Sequence, residues 1–289
     1  MIPLAETHVT IVGLGLMGGS LAGALRGQCA GVAGVDIDAA TVATAERRGF
    51  VDHATTDLAA GVREADLIIL ATPVRTILHL LGEIGPLLKP GAILMDLGST
   101  KTQITAKMTA LPEHVTPLGG HPMCGKEHAG IAAADPALYR GATFILTPLA
   151  RTTDPALDLA RALVSAVDAR PLLLTPDRQD ALTAAVSHLP YLLACSLVAA
   201  ADTVTASDPA AWEIAAGGFR DTSRVAGSDV TMMLDILLTN REHVLAALTT
   251  ASDQLQRFAA LIAKETEGDE PALRARLEGI QTRRKEIIS

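Results

Sequence analysis

Aromatic side chains are scarce: one Trp, two Tyr and four Phe in 289 residues. The cores must therefore be packed from aliphatic side chains, and Ala and Leu abound. Such a chain favours helices, and its Val/Ile-rich runs mark the strands. Basic residues are outnumbered, 24 against 32 acidic, for a formal charge of −8. A nucleic-acid binder normally carries a basic face, so that class is set aside. A small anionic substrate is not, because one arginine can hold it. The three cysteines, Cys29, Cys124 and Cys195, are far apart and odd in number, which argues against a disulfide framework and for a reducing compartment. Met1 to Thr10 has no basic and apolar leader, so no signal peptide is expected. The apolar run Tyr191 to Ala201 is shorter than the roughly 20 residues a bilayer requires. His188, Pro190 and Asp202 crowd its ends, and it reads as a buried helix. What remains is a cytoplasmic globular protein of one large or two ordinary domains, with no membrane partner.

What is present begins with a nucleotide-binding pattern. His8 to Val12 is a β-branched run, followed by Gly13-Leu14-Gly15-Leu16-Met17-Gly18-Gly19-Ser20 and then helical spacing through Leu25. Gly13 permits a tight turn, Gly15 admits a pyrophosphate to the backbone, and Gly18 lets helix and strand pack closely. The open N–H groups and the dipole of the helix would hold the phosphates. The alternative is a tight turn without a ligand. A second strand, Val32 to Val35, ends in Asp36, near the spacing at which a carboxylate takes the ribose hydroxyls. That carboxylate repels a 2′-phosphate and favours NAD over NADP, although Arg47 and Arg48 lie downstream. Leu16 and Met17 belong to the same cofactor site. So do Thr72 and Pro73, at the end of the apolar run Asp66 to Pro73, which reads as a central parallel strand before a helix.

Ala92 to Asp96 is the next strand and leads into Leu97-Gly98-Ser99-Thr100-Lys101. Ser99 is either the N-cap of the following helix or a site hydroxyl beyond the strand's carboxyl end. Val115 to Leu118 is a strand that delivers Gly119-Gly120-His121-Pro122-Met123-Cys124-Gly125-Lys126-Glu127, expected as a turn and loop. A neutral imidazole is the natural base for an alcohol being oxidised, which singles out His121. Three rivals are a nucleophilic Cys124, a metal site of His121, Cys124 and His128, and a merely structural turn. The metal reading lacks paired ligand spacing, so no metal is expected. Thr143 to Thr147 and Pro171 to Thr175 close the sheet, with a helix between them. Strands alternating with helices give a Rossmann-like, doubly wound parallel sheet.

After Asp177 the texture turns helical: Asp180 to Ala201, Ala210 to Ala215, Val230 to Leu238, Arg241 to Lys264 and Pro271 to Ile287. The expected division is a dinucleotide-binding domain over residues 1–176 and an all-α domain over 177–289. Ser187-His188-Leu189-Pro190 opens the first long helix, and His188 there serves as a core or cap residue or faces the cleft. In Gly217-Gly218-Phe219-Arg220-Asp221-Thr222-Ser223-Arg224, the two arginines stand one helical turn apart. They suit a carboxylate or belong to an ordinary surface loop.

Those motifs, in that order, resemble the prephenate/arogenate dehydrogenases of tyrosine biosynthesis. The resemblance runs nearly end to end. It rests on the glycine turn, Asp96 to Lys101, Gly120-His121-Pro122-Met123 with Gly125 and Glu127, Ser187 to Pro190, and Gly217 to Arg224. It implies an NAD-dependent oxidoreductase with a Rossmann domain and a helical domain that binds substrate and forms a homodimer. His121 is then the catalytic histidine on the ring hydroxyl, with Ser99 orienting it. His188 contacts the substrate side chain, Arg224 binds a carboxylate, and Arg220 and Gly217 line the site. Glu127 is a gate or support residue. The chain departs from the family at Cys124, where a small Ala is frequent, at Tyr191, where many members have a second His, and at Ser223, for a frequent Thr. At this length no fused mutase or regulatory domain is expected, and the chain looks like the minimal single-function form. Two other readings are a β-hydroxyacid dehydrogenase or imine reductase, and a silent NAD-binding regulator.

Overall fold

A computed structural model describes residues 3–126, 128–206, 208, 210–264 and 270–288. The β-branched and aliphatic runs form a sheet of eight strands: β1 (His8–Val12), β2 (Gly31–Val35), β3 (His53–Thr55), β4 (Leu67–Leu70), β5 (Ile93–Asp96), β6 (Thr116–Pro122), β7 (Thr143–Pro148) and β8 (Arg170–Leu173). Their order is β3-β2-β1-β4-β5-β6-β7-β8. All neighbours run parallel except β6 and β7. The sheet is thus the mostly parallel, Rossmann-like one expected, with β7 reversing direction after the segment that follows His121. β3 escaped the sequence reading because three residues are too few to show a period.

Six helices cover the sheet: α1 (Leu16–Leu25), α2 (Ala39–Arg47), α3 (Leu58–Val62), α4 (Val74–Leu80), α5 (Thr102–Met108) and α6 (Asp154–Ala166). Leu21 and Leu25 of α1, Ala45 of α2 and Leu163 of α6 pack with Val9, Ile11 and Ile69 in one core. Val62 of α3, Ile77 of α4, and Ile104 and Met108 of α5 pack with Val12, Ile68 and Leu70 in another. Alternate residues of β4 thus enter opposite cores, as a strand buried on both faces requires.

Beyond the sheet come α7 (Pro176–Thr183), a π-turn at Ala184–His188 and α8 (Leu189–Thr205). Together they make one helical rod of 30 residues. Ser187 to Pro190 therefore lies inside the helix rather than at its start, which corrects the expectation. Pro190 has no N–H to donate and its ring crowds the preceding turn, and the wider π-turn just before it absorbs that disruption. The rod is longer than the apolar run implied, and by length and composition alone it could cross a bilayer. Its residues Gln179, Asp180, Thr183 and His188 are nevertheless buried and hydrogen-bonded inside the protein. α9 (Ala210–Glu213), α10 (Gly217–Ser223), a 3₁₀ turn at Arg224–Gly227 and α11 (Val230–Thr239) follow, with α10 and the 3₁₀ turn packed on α8.

The chain forms two compact units, Met1–Arg241 and Glu242–Ser289. The second holds nearly all of α12 (Arg241–Lys264) and α13 (Pro271–Ile288). Within it, the Arg276 guanidinium lies 5.9 Å from the Phe258 ring centre and its side chain bonds Gln254.

Among the sheet helices, α4 at Pro73 and α5 at Lys101 start without a side-chain cap of their own. Acids from the helical segment supply what they lack. Asp235 of α11 accepts from the Arg75 N–H at 3.0 Å and pairs with its Nε at 3.3 Å. Asp180 of α7 accepts from the Lys101 and Thr102 N–H groups at 2.7 and 2.8 Å. The Thr100 and Thr239 hydroxyls meet at 2.8 Å beside them. Replacing Asp235 by Ala should destabilise the protein by about 1–2 kcal/mol, the usual loss for a helix cap. A urea midpoint equal to that of the unchanged protein would show that this cap contributes nothing.

Candidate active site

The turn after β1 is built for close approach. Gly13 has φ +95°, and a Cβ there would lie 2.7 Å from Thr72 Cγ2. A Cβ on Gly18 would lie 1.8 Å from the Gly13 carbonyl oxygen. Both glycines are thus demanded by the protein's own packing. Gly15 is not, since its Cβ would meet no protein atom within 4 Å. α1 starts at Leu16 and Met17 with no side-chain cap on its first N–H groups. Beside this turn, Thr72 Oγ1 is buried without a hydrogen-bond partner among the described residues, and Pro73 leads into α4. An uncapped helix start, a glycine with no packing reason and an orphaned hydroxyl fit a phosphate-bearing ligand. Asp36 accepts from the Leu14 N–H at 2.8 Å and the Asp38 N–H at 3.0 Å, tying the turn to the end of β2. Arg48 is committed elsewhere. Its guanidinium bonds the Ile131 and Ala134 carbonyls at 2.6 and 2.9 Å and stacks 4.3 Å over Phe50.

The register carries this edge of the sheet to His121. Leu70 pairs with Asp96 at the ends of β4 and β5, and β6 runs on past Leu118, the partner of Gly119 to Pro122 now being β7. His121 therefore sits within a strand, not in a turn, which corrects the sequence reading. Neither Gly119 nor Gly120 has positive φ. They are needed for space: a Cβ would lie 1.9 Å from Thr147 Oγ1 at Gly119 and 2.7 Å from the Asp96 carbonyl oxygen at Gly120.

His121 is 9% exposed. Burial, followed by the nearby Lys101 charge, lowers its pKa to about 3. It is a neutral imidazole throughout the physiological range. Its Nδ1 lies 2.9 Å from Gln179 Oε1 of α7. Ser99, expected to orient the ring, makes no hydrogen bond to it. Nor does Ser99 cap α5, a role taken by Asp180. The Ser99 carbonyl instead accepts from Gln179 Nε2 at 3.4 Å. Lys101 is fully buried and ion-paired with Asp96. Asp96 also accepts from the Gly98 and Gly120 N–H groups, at 2.7 and 3.3 Å. Burial pushes Lys101 down and Asp96 up, and each charge opposes the other's shift.

His188 is 1% exposed. It belongs to the same cluster, because its charge would weigh on His121. Asn240 Nδ2 donates to the Asp180 carbonyl at 2.8 Å and reaches His188 Nδ1 at 3.2 Å. The acceptor is thus His188 Nδ1, which leaves its proton on Nε2. Burial lowers the His188 pKa to about 4. Gly217 and Arg220 lie on α10 and Arg224 opens the 3₁₀ turn, all three exposed and carried by segments that pack on α8. No hydrogen bond joins them to His121 among the described residues. Glu127 lies outside the described residues. Burial pushes the Cys124 thiol up to about 11, which keeps it protonated and a poor nucleophile. Sequence reasoning missed Gln179, Asp180 and Asn240. The only trace was the polar run Asp177 to Asp180 at the start of the rod.

Residues 21–173 match the family model for the nucleotide-binding domain of prephenate dehydrogenase, and residues 175–278 match that for its dimerization domain. The chain belongs to the prephenate dehydrogenase family. It is 34% identical over 241 residues to the prephenate dehydrogenase of Bacillus subtilis (strain 168), covering 82% of this chain but only 65% of that protein. It is also similar to the Synechocystis arogenate dehydrogenase structure, at 32% identity and TM-score 0.85, over 97% of this chain and 99% of the other. The A. aeolicus prephenate dehydrogenase structure, in complex with hydroxyphenyl propionate and NAD+, matches at 31% identity and TM-score 0.88, over 98% of both.

In this member of the prephenate dehydrogenase family, the two buried histidines tie stability to pH. Both have folded-state pKa values below the ordinary 6.5, at about 3 and about 4. Their contribution is complete above 6.5 and is lost as pH falls toward those values, because only the unfolded chain takes up the protons. Between pH 6.5 and 5 each should remove up to about 1.4 kcal/mol per pH unit. Urea midpoints across that interval check this, and His121→Asn should make the slope shallower. A midpoint that does not move from pH 6.5 to 5 would contradict the buried neutral state.

Proposed function

We propose that the chain catalyses the NAD-dependent oxidative decarboxylation of prephenate to 4-hydroxyphenylpyruvate, or of arogenate to tyrosine. The observation that carries this reading is the neutral imidazole of His121, held at the carboxyl edge of the sheet by the helical segment. Family membership supplies the substrate class. Residues 1–176 serve as the dinucleotide-binding domain and 177–289 as the substrate and dimerisation domain.

NAD is held by Gly13, Gly15, Leu16, Met17 and Gly18, with Asp36 on the ribose and Thr72 and Pro73 beside the turn. When bound, it supplies the two-electron acceptor for the ring carbon that carries the hydroxyl. The commitment of Arg48 to loop carbonyls removes one cation that would welcome a 2′-phosphate, and Asp36 repels one, so NAD is preferred to NADP. His121 accepts the proton of the ring hydroxyl as the ring carboxylate departs as carbon dioxide. Aromatisation drives the step, so the residues need to position and to accept one proton. Ser99 lies beside the hydroxyl. His188 donates from Nε2 to the side chain, and Arg224 grips a carboxylate, with Arg220, Gly217 and Glu127 around the pocket. The enzyme works in the cytoplasm as a homodimer. The exposed Met232, Leu234 and Leu238 of α11 are the kind of surface a second subunit covers.

The direct test follows NADH formation with prephenate and arogenate side by side. His121→Asn should lower kcat by about 10²–10⁴-fold, the usual share of a general base, with NAD affinity kept. Turnover that survives the change would move the base elsewhere. Arg224→Ala should raise KM by at least about tenfold, as the loss of a charge-assisted pair predicts. An unchanged KM would place the carboxylate at another residue.

A further inference from the structure

We infer that Gln179 is a positioning residue that sets the tautomer of His121, keeping the proton on Nδ1 and the lone pair on Nε2. The inference rests on the reading of His121 as the base and adds a residue to that site. The orientation of the Gln179 amide is decided by its surroundings. Its nitrogen lies 2.8 Å from Asp180 Oδ1 and 3.4 Å from the Ser99 carbonyl oxygen. Both neighbours only accept, so that end of the amide must be the NH₂. The Thr183 hydroxyl is 3.3 Å away on the same side. Oε1 is left facing His121 Nδ1 at 2.9 Å. An amide oxygen only accepts, so Nδ1 carries the hydrogen. In a neutral imidazole the other nitrogen is then bare, and Nε2 is the one atom of the ring able to take a proton.

The amide cannot turn over without cost. Gln179 is 0% exposed, and a flip would set its oxygen against the Asp180 carboxylate and the Ser99 carbonyl. Asp180 is itself fixed by the Lys101 and Thr102 N–H groups. A chain of donors and acceptors therefore runs from the start of α5, through Asp180 and Gln179, to the ring. It aims the lone pair of His121 rather than adding charge to it.

The test uses the full-length protein with ring-15N-labelled histidine. Two-bond proton–nitrogen correlation spectra should show His121 as the Nδ1–H form, and the Nε2–H form would overturn the inference. Gln179→Met keeps the shape and removes the acceptor. It should lower kcat by about a hundredfold or more, the scale of a lost base, while KM stays within a few-fold and NAD affinity is kept. A kcat within threefold of the unchanged protein would overturn the role. Should Gln179→Met fail to fold, Gln179→Glu keeps an acceptor and adds a negative charge, which favours the imidazolium. The titration of His121 should then move to higher pH, and an unmoved titration would overturn the contact. The function can fail separately: an unchanged protein in the Nδ1–H form that oxidises neither prephenate nor arogenate would sink the substrate reading and not the tautomer.

Discussion

A buried carboxylate cannot be left without donors, and Asp180 finds three. Two are backbone N–H groups at the start of α5 and the third is the Gln179 amide. An unmet carboxylate at 1% exposure would be strongly destabilising. α7 is therefore bound to the place where α5 begins, and everything on its inner face is placed with it. Gln179 falls under His121. The Asp180 carbonyl takes Asn240, which in turn meets His188. A single acid thus joins the helical rod to the sheet, caps a helix that has no cap of its own, and supports both site histidines.

The second constraint is space around β6. Asp96 and Lys101 form a fully buried ion pair, and Asp96 also reaches the backbone of Gly98 and Gly120. The strand that bears His121 passes between this pair and β7, with room for hydrogens only at Gly119 and Gly120. The consequence is electrostatic as well as steric. Burial first, and the lysine charge after it, disfavour a positive charge on the imidazole, so His121 rests neutral with a bare ring nitrogen. The cationic and basic roles are kept on separate residues.

Much of this was legible before folding. The run His8 to Val12, the three glycines and the acid at the end of β2 are local signals, and the strand-turn-helix unit they describe is present. His121 was legible as a residue but not as part of a strand. Two glycines and a proline read as a turn when the reason for the glycines, the approach of Asp96 and Thr147, lies on other strands. Ser187 to Pro190 was placed at a helix start although the rod begins at Pro176, since proline signals a boundary and the π-turn that carries the helix through it has no mark in the sequence. Gln179 was invisible, because a glutamine on a helix has no meaning until its partners are known. The arginines near Arg224 were noticed from spacing, but only resemblance to a family lent them a role.

By itself the sequence determined what depends on neighbours along the chain: the periods of strands and helices, the nucleotide turn, the acidic balance and the presence of a lone histidine between two glycines and a proline. Tertiary structure decided which atom of that histidine is bare, which acids cap which helices, and why the glycines are glycines. The physical reason is range. Backbone preferences and turns act over a few residues, whereas burial, hydrogen-bond partnership and the fields that shift a pKa arise between residues such as Gln179 and His121, which meet only when the chain is folded.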